Sequence, residues 1–234
     1  MFRGWEVVDV NRIFCLAAGV IFSLVSTWTP QAAHAAKKPT PTPPAATAAP
    51  VVKPKTNAAP SETAQKFIER LHVRLDALVK SSTALEALQA EIGKELDGAL
   101  DYSEMARQTI PPTWDGLQAA QRTEFIGLVA KMVQNTYVKR FKPGSPVEVS
   151  YGTTKALSAG RMEVQTSITV KKTTADVNYA LLAADGRWFV YDLVVDDASQ
   201  VQAYRKSFAK ILDKEGWSGL ITRCKKAANK KPAQ

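Results

Sequence analysis

Arg187-Trp188-Phe189-Val190-Tyr191-Asp192-Leu193-Val194-Val195-Asp196-Asp197-Ala198-Ser199, continued by Gln200-Val201-Gln202-Ala203-Tyr204-Arg205-Lys206-Ser207-Phe208, is the stretch that decides the fold. Its first half alternates as a strand does, with Trp188, Val190, Asp192 and Val194 expected on one face and Phe189, Tyr191, Leu193 and Val195 on the other. Both sets are nearly all apolar, so this strand is expected inside a sheet that is covered on both sides. Ser199 then stands where a helix N-cap belongs, with Gln202 at capping-box spacing. Val201, Tyr204, Phe208 and Ile211 follow at helical spacing, and Gly216 is a natural stop. The last long strand hands over to a helix that must pack back onto the sheet.

Working outward, three more strands precede it. Val147–Thr153 is the first. Arg161–Lys171 alternates cleanly, with Met162, Val164, Thr166, Ile168 and Val170 against Glu163, Gln165, Ser167, Thr169 and Lys171. Thr174–Ala184 is the third, joined to the fourth by Asp185-Gly186, a strong hairpin signal. Strands in direct succession imply an antiparallel meander. Before them come helices. One begins near Ser61 and carries Phe67, Ile68, Leu71, Leu75, Leu78 and Val79 on one stripe. A second spans about 84–100, and a short third spans about 101–108, stopped by Pro111-Pro112. The fourth, about 118–141, carries Phe125, Leu128, Val129, Met132, Val133 and Tyr137 on a wide stripe and is expected to be central. Helices, then a curled antiparallel sheet of about four strands, then helices, is an α+β plan.

Several short motifs at consistent spacing resemble one known family. They are Asp101-Tyr102-Ser103-Glu104-Met105-Ala106-Arg107, Trp114, Gln121 to Phe125, Asn135-Thr136-Tyr137, and the Trp188, Val190, Tyr191, Asp192, Ala198-Ser199, Tyr204-Arg205 and Phe208 set. Together they resemble the MlaC family, also called toluene-tolerance proteins, over about residues 62–226. Asp197 stands where that family usually has Gly. The resemblance implies a cone-shaped fold of the nuclear-transport-factor-2 class and a periplasmic carrier that binds phospholipid acyl chains in an apolar cavity. By the same resemblance its partners would be an inner-membrane ABC transporter complex carrying an MCE-domain ring and an outer-membrane lipoprotein complex. A hopanoid or other polycyclic lipid is the alternative cargo.

The flanks have their own logic. Residues 1–35 read as a cleavable signal peptide: Ile13 to Trp28 is apolar but short for a membrane span, and Ala33-His34-Ala35 is a small-x-small cleavage site. Residues 36–60 hold seven prolines and no aromatic residue, a composition that cannot form a core. A lipid-binding domain is expected over 61–226 and a basic, disordered tail over 227–234. The formal net charge of +9 sits in the flanks, because residues 61–222 hold 20 basic and 20 acidic residues. A neutral domain with basic tails argues against nucleic-acid binding.

No catalytic constellation is visible. The chain has no metal-spaced His/Cys cluster, no glycine-rich phosphate loop and no nucleophile elbow, so no catalytic residue, metal or cofactor is expected. After cleavage Cys224 is the sole cysteine, on the apolar face of Trp217, Leu220 and Ile221, and is expected as a buried inert thiol. His72 lies beside the first helix's apolar stripe and is expected as a partly exposed structural histidine. Asp192 with Tyr179 or Tyr204 is the best candidate for cone-fold isomerase or hydrolase chemistry. A structural Asp192 that pairs with Arg205 or accepts backbone N–H bonds is the preferred reading. Asp101 and Arg107 are expected to fix a helix connection. The apolar faces admit either a packed core or a hollow one; the resemblance favours the hollow one. Its wall would be Val129, Val133 and Tyr137 by helical stripe, Val164, Thr166, Ile168, Tyr179, Leu181 and Val190 by strand alternation, and Phe208.

Overall fold

The computed structural model describes residues 58–170 and 172–229. The signal peptide and most of the Pro-rich segment read above lie outside the described residues, as do residues 230–234.

Five helices come first: α1 (Ala64–Ser81), α2 (Leu85–Ala99), α3 (Tyr102–Thr109), the single turn α4 (Pro111–Trp114) and α5 (Ala119–Tyr137), which tightens into a 3₁₀ turn over Val138–Arg140. Thr63 caps α1 by accepting the Lys66 N–H at 3.2 Å. Asp101 caps α3 by accepting the Glu104 N–H at 3.0 Å. α3 stops at Thr109, ahead of the prolines as expected, and Pro111 begins a new turn. Its fixed φ and missing N–H suit the first position of a helix, and it opens α4.

The strands are β1 (Glu148–Ser158), β2 (Arg161–Val170), β3 (Thr173–Ala184), β4 (Arg187–Val195) and the two-residue β5 (Ala198–Ser199). They form one antiparallel sheet in sequence order, curled and unclosed. β1 runs further than expected and β5 is an addition. Asp185 and Gly186 turn β3 into β4 with φ of 51° and 74°, the left-handed pair that such a hairpin turn demands. Asp196 and Asp197 make the second such turn, with φ of 46° and 64°. Asp197, standing where the family usually has Gly, thus still enters the left-handed region.

One feature of β4 departs from simple alternation. Val190 pairs with Leu181 but Asp192 pairs with Ala180, so Tyr191 is an extra, bulged residue. Beyond the bulge the faces exchange. Leu193 and Val195, opposite Tyr179 and Val177, join the face of Val190, while Asp192 and Val194, opposite Ala180 and Asn178, leave it. The expected grouping of Trp188, Val190, Asp192 and Val194 on one face is therefore wrong for its last two members.

The final helical run α6 (Gln200–Ala228) is broken at Gly216, whose φ of 64° lies outside helical space. Gly216 is thus the stop that the sequence predicts, but a second helical segment resumes at once. It continues to Ala228, past the domain end expected at 226, and Ala228 is buried. Asn135 Nδ2 donates to the Ala228 carbonyl at 2.8 Å, tying this end to α5. Cys224 is buried, as expected, and burial pushes its thiol pKa up to about 12, so it stays protonated and inert. Phe125, Phe208 and Leu220 are fully buried where α5 meets α6, with the Phe125 ring 5.8 Å from Phe208 and 5.6 Å from Trp217. No helix among the described residues is long and apolar enough to cross a membrane.

Candidate functional site: an apolar sheet face bordered by tyrosines

Register places the six strand candidates on one face. Val164 lies opposite Tyr179, Thr166 opposite Val177, Ile168 opposite Ala175, and Leu181 opposite both Met162 and Val190. Directly opposed residues of an antiparallel pair point the same way. Val164, Leu181 and Val190 are almost entirely shielded, and Thr166 is buried with its hydroxyl donating to the Val177 carbonyl at 2.7 Å. Its polarity is thus absorbed within the sheet, leaving its methyl group for apolar contact. Ile168 and Tyr179 stay partly accessible.

Of the helix candidates, Val129 and Phe208 are both buried and face one another's helix. With Met132 and Tyr204 they line a void of about 10 Å³ between α5 and α6. A void of that size holds about one water-sized probe, so this seam is close-packed rather than open. Val133 is buried beside it, and Tyr137 lies one turn on, at the end of α5.

Tyr137, Tyr179 and Tyr204 have a different character. All three lie deep enough for burial to push their hydroxyl pKa values above the ordinary tyrosine range, yet each keeps partial exposure. All three pack against the hydrophobic core with part of their surface left accessible. The Tyr137 hydroxyl makes no hydrogen bond among the described residues. Among the described residues every side-chain nitrogen or oxygen shut off from solvent has a partner, so this hydroxyl keeps some accessible surface. Tyr204 stacks against Phe208 at 5.5 Å, and Leu193, brought to this face by the bulge, stands opposite Tyr179. Sequence reasoning missed Tyr204, Met132 and Leu193 as wall residues. The first two lay on expected apolar stripes. Leu193 was hidden by the bulge.

His72 is more engaged than expected. Its Nδ1 lies 3.0 Å from the Tyr151 hydroxyl and its Nε2 lies 2.8 Å from the Tyr179 hydroxyl, so α1 is bolted to β1 and β3. Burial lowers its pKa from 6.5 to about 4. A neutral imidazole offers one donor and one acceptor, so one tyrosine donates and the other accepts. Asp192 does not pair with Arg205. It accepts the Ser199 hydroxyl proton at 2.5 Å and the Val201 N–H at 3.0 Å, while Ser199 Oγ accepts the Gln202 N–H at 3.0 Å. Burial raises the Asp192 pKa against these hydrogen bonds. The bulge thus aims Asp192 at the start of α6, where unpaired N–H groups and the helix dipole favour a carboxylate. That role is structural. Among the described residues no group of three or more His, Cys, Asp or Glu is placed to hold a metal ion.

The family model for MlaC protein matches residues 62–226. The chain belongs to the MlaC family. No curated protein matches it in sequence. Among solved structures, this MlaC chain is similar to the phospholipid-binding protein from Ralstonia solanacearum in complex with a phospholipid. The two share 15% identity with a TM-score of 0.63, over 71% of this chain and 97% of the other. At that identity the likeness is one of fold.

The structure also explains what the MlaC-like motifs do. Trp188 Nε1 donates to the Glu62 carbonyl at 2.9 Å, and the Asp101 N–H donates to the Val190 carbonyl at 2.8 Å. Arg122 Nε donates to the Trp114 carbonyl at 3.2 Å, with the guanidinium 5.4 Å from the indole centre. Glu104 accepts from Arg107 at 2.7 Å and from Arg161 at 2.6 Å. Burial would raise the Glu104 pKa, but the bonds from Arg107, Arg161 and Gln108 outweigh it and hold the carboxyl down at about 2. These residues are joints between helices and sheet. The apolar sheet face, by contrast, is built from ordinary aliphatic and aromatic positions.

Proposed function

We propose that this MlaC-family chain is a non-enzymatic lipid carrier that takes phospholipid acyl chains against the apolar sheet face and the tyrosines that border it. The observation that carries this reading is the set of deep but accessible side chains, Tyr137, Tyr179 and Tyr204, continuous with the apolar face of β2, β3 and β4. Exposing an acyl chain of about sixteen carbons to water costs on the order of 12 kcal/mol, at about 0.8 per CH₂. A carrier offsets that cost with apolar surface and needs few polar contacts, which matches this wall. The phospholipid complex of the Ralstonia protein, which shares the fold, supports the same ligand class.

We extend the proposal to the setting, which the signal-like N-terminal sequence and the family membership support. The chain is exported to the periplasm and exchanges lipid there between an inner-membrane MCE-domain ABC transporter complex and an outer-membrane lipoprotein complex. The aqueous gap between two membranes is where such a carrier is required. The test is mass spectrometry of organic extracts from the purified protein. Phospholipid at near-stoichiometric amount is the expected result. Recovery of a polycyclic lipid instead would change the cargo, and absence of any lipid from protein purified without detergent would overturn the carrier reading.

A further inference from the structure

The first half of α6 carries a row of cations that the fold does not neutralise. Val201, Phe208 and Ile211 are buried against the core, while Arg205, Lys206, Lys210 and Lys214 are exposed. Lys206, Lys210 and Lys214 follow one another at four-residue spacing, so they lie in line along about 12 Å of helix. Many exposed cations elsewhere in the domain are matched: Arg70 to Glu62, Arg74 to Glu95, Lys80 to Asp76, Lys94 to Glu91 and Lys155 to Glu163, all within 3.1 Å. Among the described residues none of the four on α6 has an ion-pair partner of this kind. Glu215, next to Lys214, is taken up by Arg223 at 2.9 Å, which leaves Asp213 as the one acid among them. The run Gln200–Ala228 holds seven basic and two acidic residues, although residues 61–222 as a whole are balanced. Like charges at four-residue spacing destabilise a helix, so folding alone does not account for the row. The large apolar residues left exposed are Val73, Leu85, Val147 and Leu157, and none of them is on α6.

We propose that the outward face of α6, through Arg205, Lys206, Lys210 and Lys214, docks the domain on an anionic phospholipid surface. A protein partner would be held by aromatic or large aliphatic anchors that fill pockets, and this face presents Ala203 and Ala209 between its cations instead. What it offers is charge on long, flexible stems. That suits a layer of mobile headgroups of one sign, which rearrange to meet the cations, better than a few carboxylates at fixed points. The attraction fades within a Debye length, so it gathers the chain at a membrane surface reversibly and does not anchor it. The apolar sheet face takes no part in this contact, and the inference stands independently of the carrier reading.

The test is co-sedimentation of the full chain with vesicles of phosphatidylcholine alone and of equimolar phosphatidylcholine and phosphatidylglycerol, at about 50 mM and about 300 mM salt. Binding to the anionic vesicles at low salt, lost at high salt and absent with phosphatidylcholine, is the expected result. Arg205→Gln, Lys206→Gln, Lys210→Gln and Lys214→Gln together are expected to weaken it on the order of a hundredfold, since each cation near such a surface contributes up to about fivefold. Lys66→Gln, Lys80→Gln, Lys94→Gln and Lys155→Gln together remove the same charge from other elements and are expected to leave binding nearly unchanged. Lys206→Arg, Lys210→Arg and Lys214→Arg together keep the charge and are expected to keep the binding. Thermal melting checks the folding of each variant, and Lys206→Gln or Lys210→Gln alone, each expected to cost up to about fivefold, serves if the fourfold change on α6 unfolds the protein. Equal losses from the two fourfold Gln variants would show an effect of net charge and overturn the assignment to α6. Equal binding to neutral vesicles, or none to either kind, overturns the membrane contact. Soluble polyglutamate decides between anions: α6-dependent binding to it that is tighter than to the anionic vesicles would mark an acidic polypeptide as the partner and overturn the choice of a lipid surface.

Discussion

His72 carries the clearest pH signature in the molecule. Burial holds its folded pKa near 4, below the ordinary 6.5, so in the window between these values the unfolded chain binds more protons than the folded one. Stability from this group is then fully present above pH 6.5 and is lost progressively as pH falls toward 4. The full shift corresponds to roughly 3 kcal/mol at about 1.4 kcal/mol per unit. Urea midpoints measured at pH 7.5 and pH 5 should fall for the native chain, and the fall should be visibly smaller for His72→Gln. Parallel losses in both proteins would assign the acid sensitivity to other groups. The histidine was legible in sequence as structural, but its partners were not, since Tyr151 and Tyr179 lie 79 and 107 residues further on. Asp197 makes the complementary point. Its place in a turn was legible, and the structure adds that an aspartate meets the left-handed geometry at a position where glycine is usual, as Asp does more readily than most residues.

At the scale of elements, β2 is the strand whose reading transfers most directly. Its alternation is uninterrupted, and each residue from Arg161 to Val170 has an antiparallel partner on β3 without a register shift. Ile168 and Thr169 therefore leave opposite faces, with Ile168 facing Ala175 and Thr169 facing Thr174. On the carrier reading, Ile168→Trp should lower lipid phosphorus per protein with little change in melting temperature, and Thr169→Trp should change neither. A packed face would respond to Ile168→Trp with about 1–3 kcal/mol of destabilisation instead, and that outcome would count against a ligand cavity at this end of the sheet. β4 transfers less well. With both faces apolar, its sequence contains no signal for the bulge at Tyr191, because alternation looks the same on either side of one inserted residue. The consequence is chemical as well as geometric: Asp192 leaves the apolar face and instead anchors the start of α6.

For the whole molecule, ligand and stability are linked. A lipid that binds only the folded state adds about 2.7 kcal/mol at a hundredfold excess over Kd, which for a domain of this size raises Tm by roughly 5–10 °C. Delipidated protein is expected to melt lower by that order and to recover on adding phospholipid; superimposable melting curves would mean that the apolar face is ordinary core. The void of about 10 Å³ between α5 and α6 sharpens the expectation. That seam admits no acyl chain as it stands, so chains that reach Val129 and Phe208 must part the two helices. At Gly216 the helical run changes direction without a side chain to obstruct it.

The amino-acid sequence by itself determined the order of the long elements, the apolar stripes, the antiparallel meander, the hairpin at Asp185-Gly186 and membership of the MlaC family. All of these are written in short windows, where backbone geometry sets the period and a few turn residues set the ends. Only the tertiary structure decided which apolar residues pack solidly and which border accessible space, where the bulge reverses the faces of β4, and what His72 and Asp192 touch. Those outcomes depend on how helices dock against the sheet across many tens of residues. A stripe of valine, leucine and tyrosine reads the same whether its far side meets another side chain or an opening.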